Sequence, residues 1–546
     1  MNPLVSTKPT GRLLMALAAI SSLFLTVGCG SSGSGFVKPN PVGFSNSSLS
    51  GTYVFSSSGV DAINGSPLVL AGALVADGKG GINSGGTMDV VDPELTPPVL
   101  PGQAISGGSY NIGSDGRGSI TLTSSAGGFS FTLDVVLTST SHGLVTEFDG
   151  IGTGSGTLDL QTALTGISQL GGPYAFSLAG ADSNAAPFAT EGAFTLNSSG
   201  GISAGTGVED FNAGGIPYLA ESLTGGATLG TGTGPGTITF TTPAFSTLTF
   251  DYYPIDATHL KLIETDDTQF LSGDVFTQSS TSITATPLVF TMAGGATVPI
   301  VLGGLVTTDP LGNLSNGLED VNDNGTVSPA QLSFGGTAGS AGIGGRVVVA
   351  LNGSPVPASS WVIYPFSGPS GSGLLILEAD ANNITIGAAY AQSATSFAAS
   401  NYGLNLTGAN TNGLGEYEEV DDIAQFDATA ATTNNMTGAL SENDEGNLPP
   451  PSTLSGAYTP DSPATGRGSI SVTTPNTFLG GLTLEYYVAD SSTVLFMEGD
   501  QDQFSTGTFE LQTPPSSGNA RSHIALARPA FLKPAVRARL AARRKK

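Results

Sequence analysis

Four pairs of carboxylates, each separated by one residue, are the first places in this 546-residue chain where chemistry could reside. They are Glu147 with Asp149, Glu264 with Asp266, Glu378 with Asp380, and Glu498 with Asp500. Paired acids perform general acid–base work, and a glycoside hydrolase needs two of them facing across a cleft. That reading requires Glu147 and a second acid, such as Asp89, to converge at roughly 5–9.5 Å. Each pair, however, ends an apolar run and is followed, 14 residues after its Glu, by a glutamine: Gln161, Gln278, Gln392 and Gln512. A spacing kept four times marks a position in a repeated fold more simply than four catalytic centres. In a strand, residues i and i+2 share a face, so Glu147 and Asp149 lie on the side of Val145. Turns containing Arg117, Arg346 and Arg467 precede three of the four Glu by 30, 32 and 31 residues. The structural expectation is a rim acid, or that Glu paired with the Arg of the preceding turn, a pair that would fix strand register through bidentate bonds. No enzyme activity is expected.

Three other patterns carry possible chemistry. Asp320, Asn322 and Asn324, with Gly325 behind them, resemble the opening of an EF-type calcium loop. The twelfth position is Gln331 and not the bidentate Glu, so the three residues are calcium candidates without the ligand that matters most, and no cofactor is assigned. Gly201-Ile-Ser203-Ala-Gly205 spells a nucleophile elbow, which needs a strand-to-helix turn; here the motif falls in a hairpin. Of the three histidines, His142 and His259 share a register five residues before Glu147 and Glu264, and Gly373 and Thr493 stand there in the other repeats. That variation reads as a tolerant hairpin turn.

The elements that position these residues are short strands. The chain holds 78 Gly and only 11% charged residues, the vocabulary of strands and tight turns. The opening Leu49-Ser-Gly-Thr-Tyr53-Val-Phe returns at Tyr174, Leu288 and Tyr402, giving a period of about 115 residues. Each unit contains about eight apolar runs broken by Gly, Asn-Gly, Asp-Gly and Pro, with no sustained helical period. The fold class is therefore all-β: four tandem antiparallel meander domains of about eight strands each. Closing each meander into a small barrel removes its sticky edges, and a two-sheet sandwich is the alternative. Gly51-x-Tyr53 and Gly172-x-Tyr174 resemble the first strand of lipocalin and avidin-type barrels, a likeness that carries no ligand site with it.

The expected organisation is a leader over 1–28, a Gly/Ser/Pro tether over 29–48, repeats over 49–161, 170–278, 284–392 and 398–512, and a basic, disordered tail over 513–546. Lys8 and Arg12 precede a 15-residue apolar run, Leu13 to Val27, too short for a comfortable membrane span and right for a signal peptide. It ends Leu25-Thr-Val-Gly28-Cys29, which resembles the lipobox of bacterial lipoproteins. The resemblance implies cleavage before Cys29 and lipid on its sulfur, and Gly30 in place of Asp implies passage to the outer membrane. Cys29 is the only cysteine, so it has no disulfide partner. Between Cys29 and Thr513 stand 43 acids against six bases, a net of −37 that repels phosphate backbones and excludes nucleic acid as a partner. The expectation is a lipoprotein held to the bilayer of the cell envelope, presenting its repeats as an interaction, adhesion or spacer module to a polysaccharide or protein. Small-ligand binding inside the barrels and a secreted carbohydrate-active hydrolase are the alternatives.

Overall fold

In the computed structural model, residues 42–513 and 515 are described, apart from 125–128, 183–185, 267–268, 329–331, 354–358, 369–370, 413–414, 431–433 and 474–481. Each repeat folds as a meander whose last strand returns to pair with its first. In barrel 1 the strands are β1 (Ser50–Asp61), β2 (Pro67–Asp77), β3 (Gly81–Val91), β4 (Val99–Ile112), β5 (Arg117–Ser124), β6 (Ser130–Leu137), β7 (His142–Glu147) and β8 (Gly152–Leu160). β1 pairs antiparallel with both β2 and β8, the latter from Tyr53 opposite Leu160 to Asp61 opposite Gly152. The same closure joins Gly172–Ala181 to Phe270–Thr277 in barrel 2, Thr286–Gly294 to Thr385–Ala391 in barrel 3, and Asn401–Thr411 to Gln503–Leu511 in barrel 4. Barrel 2 splits its third and fourth strands, and barrel 3 adds the two-residue strand Thr326–Val327, without breaking the eight-strand ring. The four units are closed barrels, not two-sheet sandwiches. Among the described residues helix is confined to three short 3-10 turns.

Strand alternation explains both faces of the wall. In β1, Tyr53 and Phe55 point into the barrel core, while the intervening Val54 joins a second apolar cluster shared with Tyr253, Ile263 and Phe270 of barrel 2. A wall apolar on both sides needs near-continuous hydrophobic runs, as in Pro67–Ala76, where nine of the ten residues are buried. Each interior is filled by its own side chains. Barrel 2 stacks Phe176 on Phe240 at 4.9 Å and Phe211 on Tyr218 at 4.6 Å; barrel 3 sets Trp361 against Phe290 and Phe334. Removing one such ring, as in Phe211→Ala, costs about 3–5 kcal/mol of transfer and cavity energy.

The segments before each barrel close its mouth. Phe44 and Leu49 belong to the core of barrel 1, Leu170 to that of barrel 2 and Ile283 to that of barrel 3, while Phe397 packs on that of barrel 4. The tether boundary at 48 is thereby corrected: Val42 to Phe44 hydrogen-bond to the Ser114 carbonyl, and Asn46 accepts the Ile112 N–H at 2.7 Å. These residues satisfy the end of the meander and are part of the domain.

The barrels also do not run out in a line. Barrel 1 packs on barrel 2, 2 on 3, 3 on 4, and 4 returns to 1. The seams differ in chemistry. Twelve buried apolar residues form the cluster between barrels 1 and 2, whereas only Val136, Leu144 and Ile423 form the one between barrels 4 and 1. The closing seam is held mainly by polar groups.

Candidate functional site

Each Glu-x-Asp pair ends the seventh strand of its barrel: His142–Glu147, His259–Glu264, Gly371–Glu378 and Thr493–Glu498. The Asp turns back to cap the adjacent strand. Asp149 accepts the N–H of Thr132 at 3.0 Å, Asp266 that of Thr249 at 2.5 Å, Asp380 that of Ser359 at 2.6 Å, and Asp500 that of Thr483 at 2.6 Å. The four Glu are buried. Glu264 accepts the Gln269 N–H at 2.7 Å and Glu378 the Thr385 hydroxyl at 2.8 Å. Burial, reinforced by Asp149 and Asp421, raises Glu147 well above the carboxylate range, and burial pushes Glu378 up to about 8. Asp89 does not join Glu147: it faces Tyr253 and Asp251 of barrel 2, whereas the acids around Glu147 are Asp149, Asp421, Asp61 and Asp92.

The closing glutamines reach forward to the next barrel. Gln161 Nε2 donates to the Pro254 carbonyl at 2.9 Å, Gln278 to Pro365 at 2.6 Å, Gln392 to Val488 at 3.2 Å, and Gln512 to Leu137 at 2.9 Å. The acceptors occupy one register in successive barrels, and the last of them lies in the first barrel. An asparagine on the third strand adds a second clamp. Asn212 Nδ2 donates to the carbonyls of Asp380 and Asn383, Asn322 to those of Asp500 and Gln503, and Asn443 to those of Glu147 and Gly152. Each Asn thus holds the Glu-x-Asp turn of the following barrel. In barrel 1 this position is Val91, which joins the apolar cluster instead.

The expected pairing of each Arg with the Glu of its own Glu-x-Asp is corrected: the arginines meet other acids. Arg346 binds Asp210 of barrel 2 through Nε and Nη2, both at 2.6 Å, and Arg467 binds Asp320 of barrel 3 at 2.6 and 2.8 Å. Tyr364 and Tyr487 donate their hydroxyls to the same two carboxylates. These side chains lie on the outer face of the wall, where they reach an acid of the preceding barrel; Arg467 also holds Asp461 and Glu485 of its own barrel. Arg117 pairs with Asp115, two residues away, at 3.0 Å.

At the centre of the ring, Gly156, Gly273, Gly387 and Gly507 hold one register on the four closing strands. A Cβ at any of them would strike a backbone carbonyl of the neighbouring strand: Ser56, Ser177, Thr291 or Asn405. They surround a cavity of about 100 Å³ lined by hydroxyls of all four barrels, including Ser57, Ser155, Ser272, Thr291, Thr407 and Thr506. Asp274 and Tyr390 connect this cavity to a buried ionic cluster. There His142 Nδ1 lies 2.7 Å from Asp159 and Nε2 3.1 Å from Glu510 of barrel 4, while Lys261 Nζ and His259 Nε2 lie 2.7 and 2.6 Å from Asp274. Burial opposes charge on His142, but Glu510 and Asp159 outweigh it and push its pKa up to about 10. Burial likewise works against the charge of Asp274, yet Lys261 and His259 hold it below the usual range. Each ring nitrogen thus lies beside a carboxylate, and the raised pKa favours the charged ring.

The turn reading of the histidines is corrected: both are buried at the start of a strand. The signal was present in the sequence. Lys261 interrupts Leu260 and Leu262, Asp159 interrupts Leu158 and Leu160, and Glu510 interrupts Phe509 and Leu511. A lone charge inside an alternating run marks a buried outward-facing position.

The calcium candidates do not converge. Asp320 is committed to Arg467 and Tyr487, Asn322 donates its amide to barrel 4, and Asn324 accepts the Tyr417 hydroxyl at 2.5 Å. Gln331 lies outside the described residues. Among the described residues, no group of three or more His, Cys, Asp or Glu is arranged to hold a metal ion. Ser203 sits in a hairpin beside the short strand Gly201–Ile202. Cys29, the leader and nearly all of the basic tail lie outside the described residues.

No family model matches this chain, and no curated protein does. Among solved structures, a mutant of the vaccine antigen transferrin binding protein B from Haemophilus parasuis shares 9% identity across 68% of this chain and 83% of its own, with a TM-score of 0.19. Superposition at that score establishes no common arrangement of the two chains.

Proposed function

We propose that this is a lipid-anchored protein of the bacterial cell envelope whose ring of barrels serves as an interaction or adhesion module for a polysaccharide or protein. The observation that carries the reading is the packing. Every barrel interior is occupied by its own core, and each barrel is stapled to the next, so recognition is left to the outer faces and the seams. Small-ligand binding inside the barrels loses its support on the same ground. The spacer role loses it as well, because ring closure sets the last barrel beside the first. The anchor rests on the sequence: a basic and apolar leader ending at the chain's single cysteine, with Gly30 after it favouring the outer membrane.

The test is Cys29→Ser in the full-length protein, followed by fractionation. The variant leaves the membrane fraction for the soluble one; retention in the membrane overturns the anchor. The soluble variant then serves to assay retention on envelope polysaccharide or on intact cells, and failure to be retained by either overturns the adhesion half.

A further inference from the structure

The four seams are built from equivalent residues, so each shows what the others lack. At the seams between barrels 2 and 3 and between 3 and 4, three groups meet: an Asp of the preceding barrel, and an Arg and a Tyr of the following one. The Asp presents two oxygens to the guanidinium fork and accepts the phenol. Strand register gives the counterparts at the closing seam. Arg117 stands opposite Val136 as Arg467 stands opposite Tyr487, and Ser441 stands opposite Ile423 as Asp320 stands opposite Gly303. The guanidinium is kept, while the carboxylate has become a serine and the phenol a valine.

What remains is a cavity of about 330 Å³ between barrels 1 and 4, lined by Arg117, Asp115, Asp134, Asn111, Ser441 and Ile423. Arg117 is 30% exposed there, and both Nε and Nη2 rest on one oxygen, Asp115 Oδ2, at 3.0 Å. One oxygen shared by two N–H groups is a poorer partner than the two-oxygen fork at the equivalent seams. The acids beside Arg117 do not forbid another. Arg467 already carries Asp461 at 3.1 Å and Glu485 at 2.7 Å in addition to Asp320, and Asp134 is the counterpart of Glu485.

From this we infer that the seam between barrels 4 and 1 is a binding site for a small organic carboxylate. The ligand's carboxylate takes the place that Asp210 and Asp320 fill elsewhere, displacing Asp115 from the guanidinium, and its body lies in the cavity against Ile423. An aromatic carboxylate supplies both an anion for Arg117 and an apolar face for Ile423. This assignment stands on the internal repeat and is independent of the envelope reading.

Calorimetric titration of the full-length protein with acetate, benzoate and 4-hydroxybenzoate tests it. Saturable binding is expected, weakest for acetate, which has no apolar body to set against Ile423. Arg117→Gln weakens it at least about tenfold, the scale of one lost charge-assisted contact. Ser441→Asp restores the carboxylate from the protein side; it abolishes binding while the ligand-free melting temperature stays at or above that of the parent. Absence of saturable heat up to about 10 mM for all three probes overturns the site. So does binding that persists unchanged in Ser441→Asp, a variant whose folding the melting temperature verifies directly.

Discussion

Asp274 shows how much one buried side chain can hold. It is the common partner of Lys261 and His259 beside the ring axis, and all three are buried. A buried cation deprived of its counter-charge costs about 3–5 kcal/mol, more than the pair contributes when intact. Asp274→Asn is therefore expected to lower unfolding free energy by that amount, measured by denaturant titration; a loss below about 1 kcal/mol would show that Lys261 reaches solvent or another acid. Asp89 supplies a contrast at the seam between barrels 1 and 2. Pro235 stands there in place of the Arg, and burial with the nearby Asp251 pushes Asp89 up to about 7. The position that holds an Asp–Arg pair at two seams holds at this one a buried carboxyl with no Arg beside it among the described residues, its pKa raised by burial.

At the level of strands and seams, the closing contact combines a three-residue apolar cluster with a set of polar staples. Gln512, Asn443, Asn405 and the His142–Glu510 contact carry it. Each neutral hydrogen bond contributes about 0.5–1.5 kcal/mol, and removing one partner of the buried ion contact costs about 3–5 kcal/mol. Glu510→Gln combined with Gln512→Ala is expected to open the ring, read as a rise in radius of gyration by small-angle scattering. Gln278→Ala, at a seam that keeps Arg346 and Asp210, leaves the radius unchanged. An unopened double variant would mean that the remaining contacts suffice. The barrels themselves were legible because strand alternation and turn residues are local, and the repeat gave their number. The seams were not. Gln161 and its counterparts were visible as markers, but a hydrogen bond across some hundred residues leaves no local trace, so their role as staples needed coordinates. The arginines were misassigned for the same reason: spacing along one repeat points to its Glu, while the outward face of the wall brings Arg346 and Arg467 to an Asp of the barrel before.

Across the whole molecule, buried acids make stability depend on pH with a definite sign. Asp134 and Asp421 are pushed by burial up to about 6, Glu209 and Glu485 to about 7 and Glu378 to about 8, all above their unfolded values. Between about pH 4 and 8 the unfolded chain has released these protons and the folded one retains them, so stability falls as pH rises. His142 acts in the same direction: its contribution is complete below about pH 6.5 and is lost as pH passes 10. Asp159 and Asp274, held below the usual range, set the lower limit, because their contribution disappears as pH drops below about 4. The melting temperature is expected to peak near pH 5 and to be several degrees lower at pH 8; a flat profile would mean that water reaches the buried carboxyls. One further property follows from Gly116, whose surroundings include both Phe44, where the chain enters barrel 1, and Gln512, where it leaves barrel 4. Entry and exit are neighbours, so the order in which the barrels are written along the chain is a matter of where the polypeptide happens to be cut. Joining the two ends and reopening the chain within 279–285 is expected to return the same ring as a circular permutant, with barrel 3 first and barrel 2 last.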